Sequence, residues 1–232
     1  MRVVTMAAGG AASLALLTGC GGSGFADESV DEIIKQTSAD MKALDSLRLK
    51  GDIASDGQEV SVDMRMTTDG DCTGTFGLMG GTAELLSVDG RTWFKPDEEF
   101  WRASSPDQAD MIMGVVGDKW VVMPAEESEV SEFCDLDSLL EEFSEESDDE
   151  KDASLGETEE VDGEETIIIN GESDEGDPMK AWIATEGKHY ILKLEVTDGE
   201  EPGTITFSEF NEDVDVEAPA EDEVIDLTSV SG

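Results

Sequence analysis

Val60-Ser61-Val62-Asp63-Met64-Arg65-Met66 alternates apolar and polar residues without a break. A strand sends successive side chains to opposite faces, so two valines and two methionines share one side. The serine, the aspartate and the arginine share the other. One dry face and one wet face describe an antiparallel sheet that covers a core with one side. Upstream, Leu47, Leu49 and Ile53 alternate in the same way. Downstream, Asp69-Gly70 and Asp89-Gly90 are hairpin signals, and the second joins a strand over 82–88 to one over 91–95.

A helix precedes this sheet. Ser29-Val30-Asp31-Glu32 has capping-box form, and Val30, Ile33, Ile34, Thr37, Met41 and Leu44 follow at helical spacing. The spacing predicts a helix over 30–44. Met111, Ile112, Val115 and Val116 predict a second helix within 106–116, followed by a short strand over 119–123 and a third short helix over 136–143. Strands resume at 166–170, 180–184, 189–196 and 203–210, with Glu186-Gly187 and Asp198-Gly199 as turns. Between the two groups of strands, residues 145–165 hold 12 acidic side chains in 21 positions, the composition of a solvated loop. Such a run could gather Ca²⁺ loosely, but it lacks the ligand order of an EF-hand. The expected class is α+β.

The chain has 232 residues, with 58 Asp and Glu against 14 Lys and Arg, a formal charge of −44. That balance excludes binding to a nucleic-acid backbone, since no surplus of cations can displace counterions. It also excludes a polybasic membrane-surface mode. A 38 % share of hydrophobic residues suffices for one packed domain. No P-loop, HExxH motif or nucleophile elbow is present, and His189 is the single histidine. No cofactor and no metal site is expected, and the chain reads as no enzyme.

The N-terminus reads as a processing signal. Arg2 precedes residues 6–17, which are all Met, Ala, Gly, Ser or Leu and too few to span a bilayer as a helix. Leu17-Thr18-Gly19-Cys20 follows and resembles the lipobox of bacterial lipoproteins. That resemblance implies cleavage before Cys20 and a diacylglycerol on its thiol. The alternative is an ordinary secretory signal with a cysteine near its end. The expected plan is a signal peptide over 1–19, a lipidated flexible tether over 20–26, one domain over 27–227 and a tail over 228–232. The protein would then work at the extracytoplasmic face of a cell membrane, held there by acyl chains. Cys72 and Cys134 remain, and in such a compartment an even pair favours a disulfide, with two buried thiols as the alternative.

Three stretches carry a more specific resemblance: Val88-Asp-Gly-Arg-Thr-Trp-Phe-Lys-Pro-Asp-Glu-Glu-Phe-Trp-Arg102, Gly117-Asp-Lys-Trp-Val-Val-Met-Pro124 and Glu217-Ala-Pro-Ala-Glu-Asp-Glu-Val-Ile-Asp226. With the lipobox and the order of elements, they resemble the LppX/LprG-type lipoproteins of actinobacteria, within the LolA/LolB-like half-barrel superfamily. The resemblance implies a curved antiparallel sheet wrapped around a few helices, with an apolar cavity between them for a lipid or an acyl chain. Side chains expected to face that cavity are Val60, Val62, Met64 and Met66 on the sheet and Met111, Met113 and Val116 on the inserted helix. The alternative for each is ordinary core. Trp93, Trp101, Trp120 and Trp182 are expected to be structural, with Trp93 or Trp101 able to sit at a cavity mouth. Shielding a sixteen-carbon tail from water is worth on the order of 12 kcal/mol, whereas exchanging it with a bilayer interior is nearly neutral. A carrier therefore needs an apolar space and no catalyst. The expected function is a monomeric, membrane-anchored carrier or binder of a hydrophobic ligand. The alternatives are a scaffold lipoprotein with a filled cavity and, further off, an extracytoplasmic hydrolase using His189 or a carboxylate pair.

Overall fold

Ser29 opens the first helix: its side chain accepts a hydrogen bond from the Glu32 amide at 3.3 Å, and α1 (Val30–Met41) buries Ile33, Thr37 and Met41 on one face. The structure is a computed structural model that describes residues 24–55, 57–123, 134–143, 153–173, 176–199 and 201–226. Lys42 caps α1, so the helix stops short of Leu44, whose buried side chain sits in the turn that follows. Five strands come next: β1 (Ser46–Ser55), β2 (Gln58–Thr67), β3 (Cys72–Leu78), β4 (Gly81–Val88) and β5 (Arg91–Pro96). Then come α2 (Glu98–Ser104), α3 (Ala109–Val116), β6 (Trp120–Met123) and α4 (Leu136–Glu142). The second meander is β7 (Ser154–Val161), β8 (Glu164–Glu172), β9 (Pro178–Ala184), β10 (Ile191–Val196) and β11 (Gly203–Ser208), and the chain returns to add β12 (Val224–Ile225).

All twelve strands form one open sheet in the order β12-β6-β5-β4-β3-β2-β1-β11-β10-β9-β8-β7. Every neighbouring pair is antiparallel except β12 with β6. The expected α+β half-barrel is therefore what forms: a curved antiparallel sheet with, among the described residues, four α-helices, closed by no edge-to-edge pairing of β12 with β7. Register carries the inner face across the strands, with shifts between β9 and β10 and between β7 and β8. Leu49 lies opposite Met64 on β2 and Phe207 on β11, and Leu85 lies opposite Gly74 and Phe94. Ile169 on β8 lies opposite Ala181 on β9.

Two places where only glycine fits show how sharply the sheet bends. A Cβ on Gly51 would collide with the Thr204 carbonyl oxygen, and one on Gly74 with the Asp63 carbonyl oxygen. A glycine inside a strand permits such close approach of neighbouring backbones.

Three elements depart from the reading of the sequence. Residues 154–161, expected as part of a solvated acidic loop, are strand β7 at the edge of the sheet, while 145–152 lie outside the described residues. Asp162 and Gly163 take positive φ (51° and 91°) in a tight hairpin, and the β7 carboxylates remain exposed because β7 is the outermost strand among the described residues. Charged side chains on an edge strand also discourage further pairing. Helix α2 is the second departure. Asp97 accepts the Phe100 amide at 2.7 Å and Phe100 is buried, a cap that the proline and paired glutamates around it obscured. The third is β12, two residues too short to show a period.

The hairpins define two ends of the sheet. At the basal pole β1 begins, and the turns β2–β3, β4–β5, β7–β8 and β9–β10 gather there. At the distal pole β1 ends, with the turns β1–β2, β3–β4, β8–β9 and β10–β11 and helices α2 and α3.

On the outer face, charges join the two meanders. Arg48 donates to both Asp63 oxygens, at 2.7 and 2.8 Å, and to Glu209 at 3.0 Å, while Arg65 donates to Glu209 at 2.9 Å. Hydrogen bonds from Arg48 hold the Asp63 carboxyl below the usual carboxylate range, and those from Arg65 do the same for Glu209. Because both pKa values are depressed by folding, the stability they supply is complete above the ordinary carboxylate range and is lost as pH falls through the folded values. Acid also relieves repulsion among the other carboxylates, so the two effects oppose each other. Comparison of wild type with Asp63→Asn isolates the first. The stability difference, on the order of 1 kcal/mol at pH 7, should shrink toward zero below about pH 4. Chemical denaturation at a series of pH values reads it, and a difference independent of pH would contradict the assignment.

Candidate functional site

The inner face of the sheet is filled unevenly. At its basal half, α1 and α4 bring Ile33, Met41, Leu136 and Leu140 against Leu47, Met64, Met66 and Phe207 in one buried cluster. Phe143 meets Phe207 edge to face at 5.6 Å, and Ser38 Oγ donates to the Phe143 carbonyl at 2.8 Å. A disulfide between Cys72 on β3 and Cys134, just before α4, ties this plug to the sheet across 62 residues. Farther up, α2 seals the space below β3, β4 and β5: Phe100 contacts Phe94 at 5.4 Å and Phe76 at 6.2 Å, and its backbone lies directly against Gly81.

Between these plugs a lane on the distal half of β2, β1, β11 and β10 stays partly open. Register places Val60 opposite Ile53, then Ile53 opposite Gly203 and Gly203 opposite Val196. In the next row Val62 lies opposite Gly51, then Ile205 and Leu194. Ile53, Val60, Val62, Leu194, Val196 and Ile205 are all half-buried, and Ile53, Val60 and Val196 stand outside the contiguous buried cluster. Glycines at positions 51 and 203 lower the floor between them.

The expected cavity residues separate on this surface. Val60 and Val62 line the lane. Met64 and Met66 lie on the same face but are buried in the basal cluster. On α3, Val116 is buried and Met113 half-buried, whereas Met111 faces solvent and not the sheet. Ala109 and Val116 take the covered side of that eight-residue helix, and Met111 points away from it. The sequence assigns no cavity role to Ile53, Leu194, Val196 or Ile205. Their strands alternate as β2 does, but only the pairing across the two meanders puts them beside Val60. The Cys20 site lies outside the described residues.

The polar groups are structural in their contacts. His189 stacks on Phe25 with ring centroids 3.5 Å apart, and its Nδ1 lies 2.9 Å from the Ala184 carbonyl. Burial acts to raise the Asp40 carboxyl, but the Lys188 ammonium and the His189 amide outweigh it and hold the group below its usual range. A cleft of about 220 Å³ at the basal pole is lined by Thr67, Ser87, Thr92, Asp135 and Asp137. The Asp135 carboxylate there is engaged by the Ser138 amide and hydroxyl, which lower its pKa. Among the described residues no group of three metal-ligating side chains converges, and no helix is long and apolar enough to cross a membrane.

The disulfide controls how firmly α4 covers the inner face. Closing a 62-residue loop should contribute roughly 4 kcal/mol on the chain-entropy model. Cys134→Ser should therefore lower the denaturation midpoint and raise the binding of a fluorescent apolar dye under native conditions. Unchanged stability and unchanged dye binding would contradict this role.

No protein-family profile and no curated protein matches the chain. Solved structures do. The lipoprotein LppX of Mycobacterium tuberculosis superposes with a TM-score of 0.54 at 18 % identity, covering 81 % of this chain and 98 % of that one. LprF of Mycobacterium bovis superposes with a TM-score of 0.56 at 16 % identity, covering 82 % and 97 %. With its bent sheet, its plugging helices and its order of elements, the chain has the LolA-like half-barrel fold of LppX and LprF.

Proposed function

We propose that the protein is a lipid-anchored extracytoplasmic lipoprotein that holds an acyl chain, or a ligand of similar shape, in the distal lane of its inner face. The half-buried row Ile53, Val60, Val62, Leu194, Val196 and Ile205 carries this reading, because it leaves apolar surface unsatisfied on the covered side of a very acidic molecule. Single exposed apolar side chains are ordinary, but a contiguous row on four strands is a binding surface. An acyl tail entering the lane regains, contact for contact, what it leaves in a bilayer, so uptake and release can both be fast. Burial of Met64 and Met66 limits the space on the basal side. The ligand would lie along the distal half, with its polar end toward the distal pole. Anchoring is supported by the lipobox at Leu17–Cys20 and by the likeness of the fold to a lipoprotein of known structure.

A bulky residue in the lane tests the binding claim. Val62→Trp should weaken binding of a fluorescent fatty acid about tenfold, a cost near 1.4 kcal/mol, while the far-ultraviolet circular dichroism stays that of the wild type. Equal binding by both proteins would overturn the proposal and favour a scaffold whose inner face is filled. Separately, Cys20→Ala should move the protein from the membrane fraction to the soluble fraction of its own cells, and continued membrane association would overturn the anchor.

A further inference from the structure

Among the described residues four large apolar side chains are exposed: Met111 at 65 %, Met79 at 49 %, Val115 at 47 % and Leu155 at 42 %. All four sit at the distal pole. Met79 is in the β3–β4 turn with φ of 49°, Met111 and Val115 are on α3, and Leu155 is at the start of β7, opposite Ile169. Met111 and Val115 are four residues apart and so share one helical face. Helix α2 packs on α3 and against β3 and β4, with its backbone beside Gly81, so Met79 in the β3–β4 turn and α3 both adjoin α2 at this pole. Exposed carboxylates lie on and beside the same two helices: Glu98 and Glu99 open α2, Asp110 precedes Met111 on α3, and Asp107 and Asp118 flank that helix. Arg102 pairs with Glu98 and Asp110, and the collar remains strongly negative.

We infer that this apolar patch on α3 and the β3–β4 turn, with its acidic collar, is a docking surface for a partner protein that presents an apolar patch ringed by Lys and Arg. Charge selects the occupant. An anionic bilayer would be repelled by the collar, whereas basic side chains around an apolar centre would match it and speed encounter. Chain geometry agrees, on the reading that Cys20 carries the anchor. Residues 20–24 reach at most about 14 Å when extended. They lead to Phe25, which stacks on His189 just past the β9–β10 turn, at the basal pole. Ten-residue β1 alone spans about 33 Å from that pole to the other. The anchor therefore favours an upright body whose distal pole is turned away from its own membrane, where a partner protein can approach. The lane of half-buried side chains opens at the same pole, so docking there would place the partner beside a bound tail.

The test uses the full chain, a synthetic amphipathic Leu/Lys helix of about 18 residues, its Leu/Glu counterpart, and phosphatidylcholine vesicles containing phosphatidylglycerol. At physiological salt the Leu/Lys peptide should bind, and the double change Met111→Glu with Val115→Glu should weaken it about tenfold. Met79→Glu, a change at an exposed turn, should weaken it in the same direction. Thr75→Glu, exposed on the outer face and equal in charge to the last, should leave it unchanged. Fatty-acid binding should survive every one of these substitutions, which separates this claim from the ligand claim. Equal loss with Thr75→Glu would mean that the peptide reads net charge alone and would overturn the inference. So would equal binding of the Leu/Glu peptide. Vesicle association that falls with the α3 substitutions while peptide binding does not would assign the patch to a membrane instead.

Discussion

The bend in the sheet depends on close approach of backbones where side chains are missing. Gly51 admits the Thr204 carbonyl and Gly74 admits the Asp63 carbonyl, so β1, β11, β2 and β3 can curl around the inner face. Everything else follows from that curl. A flat twelve-stranded sheet would need a second layer across its whole area, and the four α-helices among the described residues do not supply one. A curled one surrounds its helices. It buries its basal half against α1 and α4 and its flank against α2, and leaves the distal lane on β2, β1, β11 and β10 only partly covered.

The outer face solves a different problem. With a net charge of −44 the chain repels itself, and its few cations are placed where they do most. Arg48 and Arg65 bridge β1 and β2 to Glu209 at the end of β11, across the seam where the two meanders meet. Other cations lie over tryptophan rings on that face: Arg91 over Trp93, Lys95 over Trp120 and Lys193 over Trp182 at 4.0 Å. Trp182 also donates its ring N–H to Glu159, which ties the acidic edge strand to β9. These tryptophans thus serve the outer surface of the sheet and not a cavity. Phe25, near the start of the described residues, stacks on His189, the single histidine.

Much of this was legible because strands and capped helices write short-range patterns. Val60 to Met66 shows its two faces directly, Ser29 announces α1, and Asp89-Gly90 announces its hairpin. The pairing of Cys72 with Cys134 followed from counting. What was hidden depends on distance along the chain. No local pattern says that Ile53 on β1 will share a lane with Val196 on β10, since their adjacency arises only when the second meander docks through β11 on β1. The acidity of residues 154–161 masked an edge strand, because water on its open side removes the penalty that charge would impose in the middle of a sheet. Met111, which the resemblance implies faces the cavity, is exposed for a related reason. Helical spacing shows that a face exists, but not whether anything lies against it.

The account stands on the distal lane being the place where an apolar chain binds. A fatty acid bearing a photoactivatable diazirine near its tail, crosslinked to the protein and mapped by peptide mass spectrometry, reads that place directly. Adducts are expected on β1, β2, β10 and β11 at Ile53, Val60, Val62, Leu194, Val196 and Ile205, suppressed by an excess of unlabelled fatty acid. Adducts confined to the outer face or to α3, or labelling that no competitor suppresses, would contradict it.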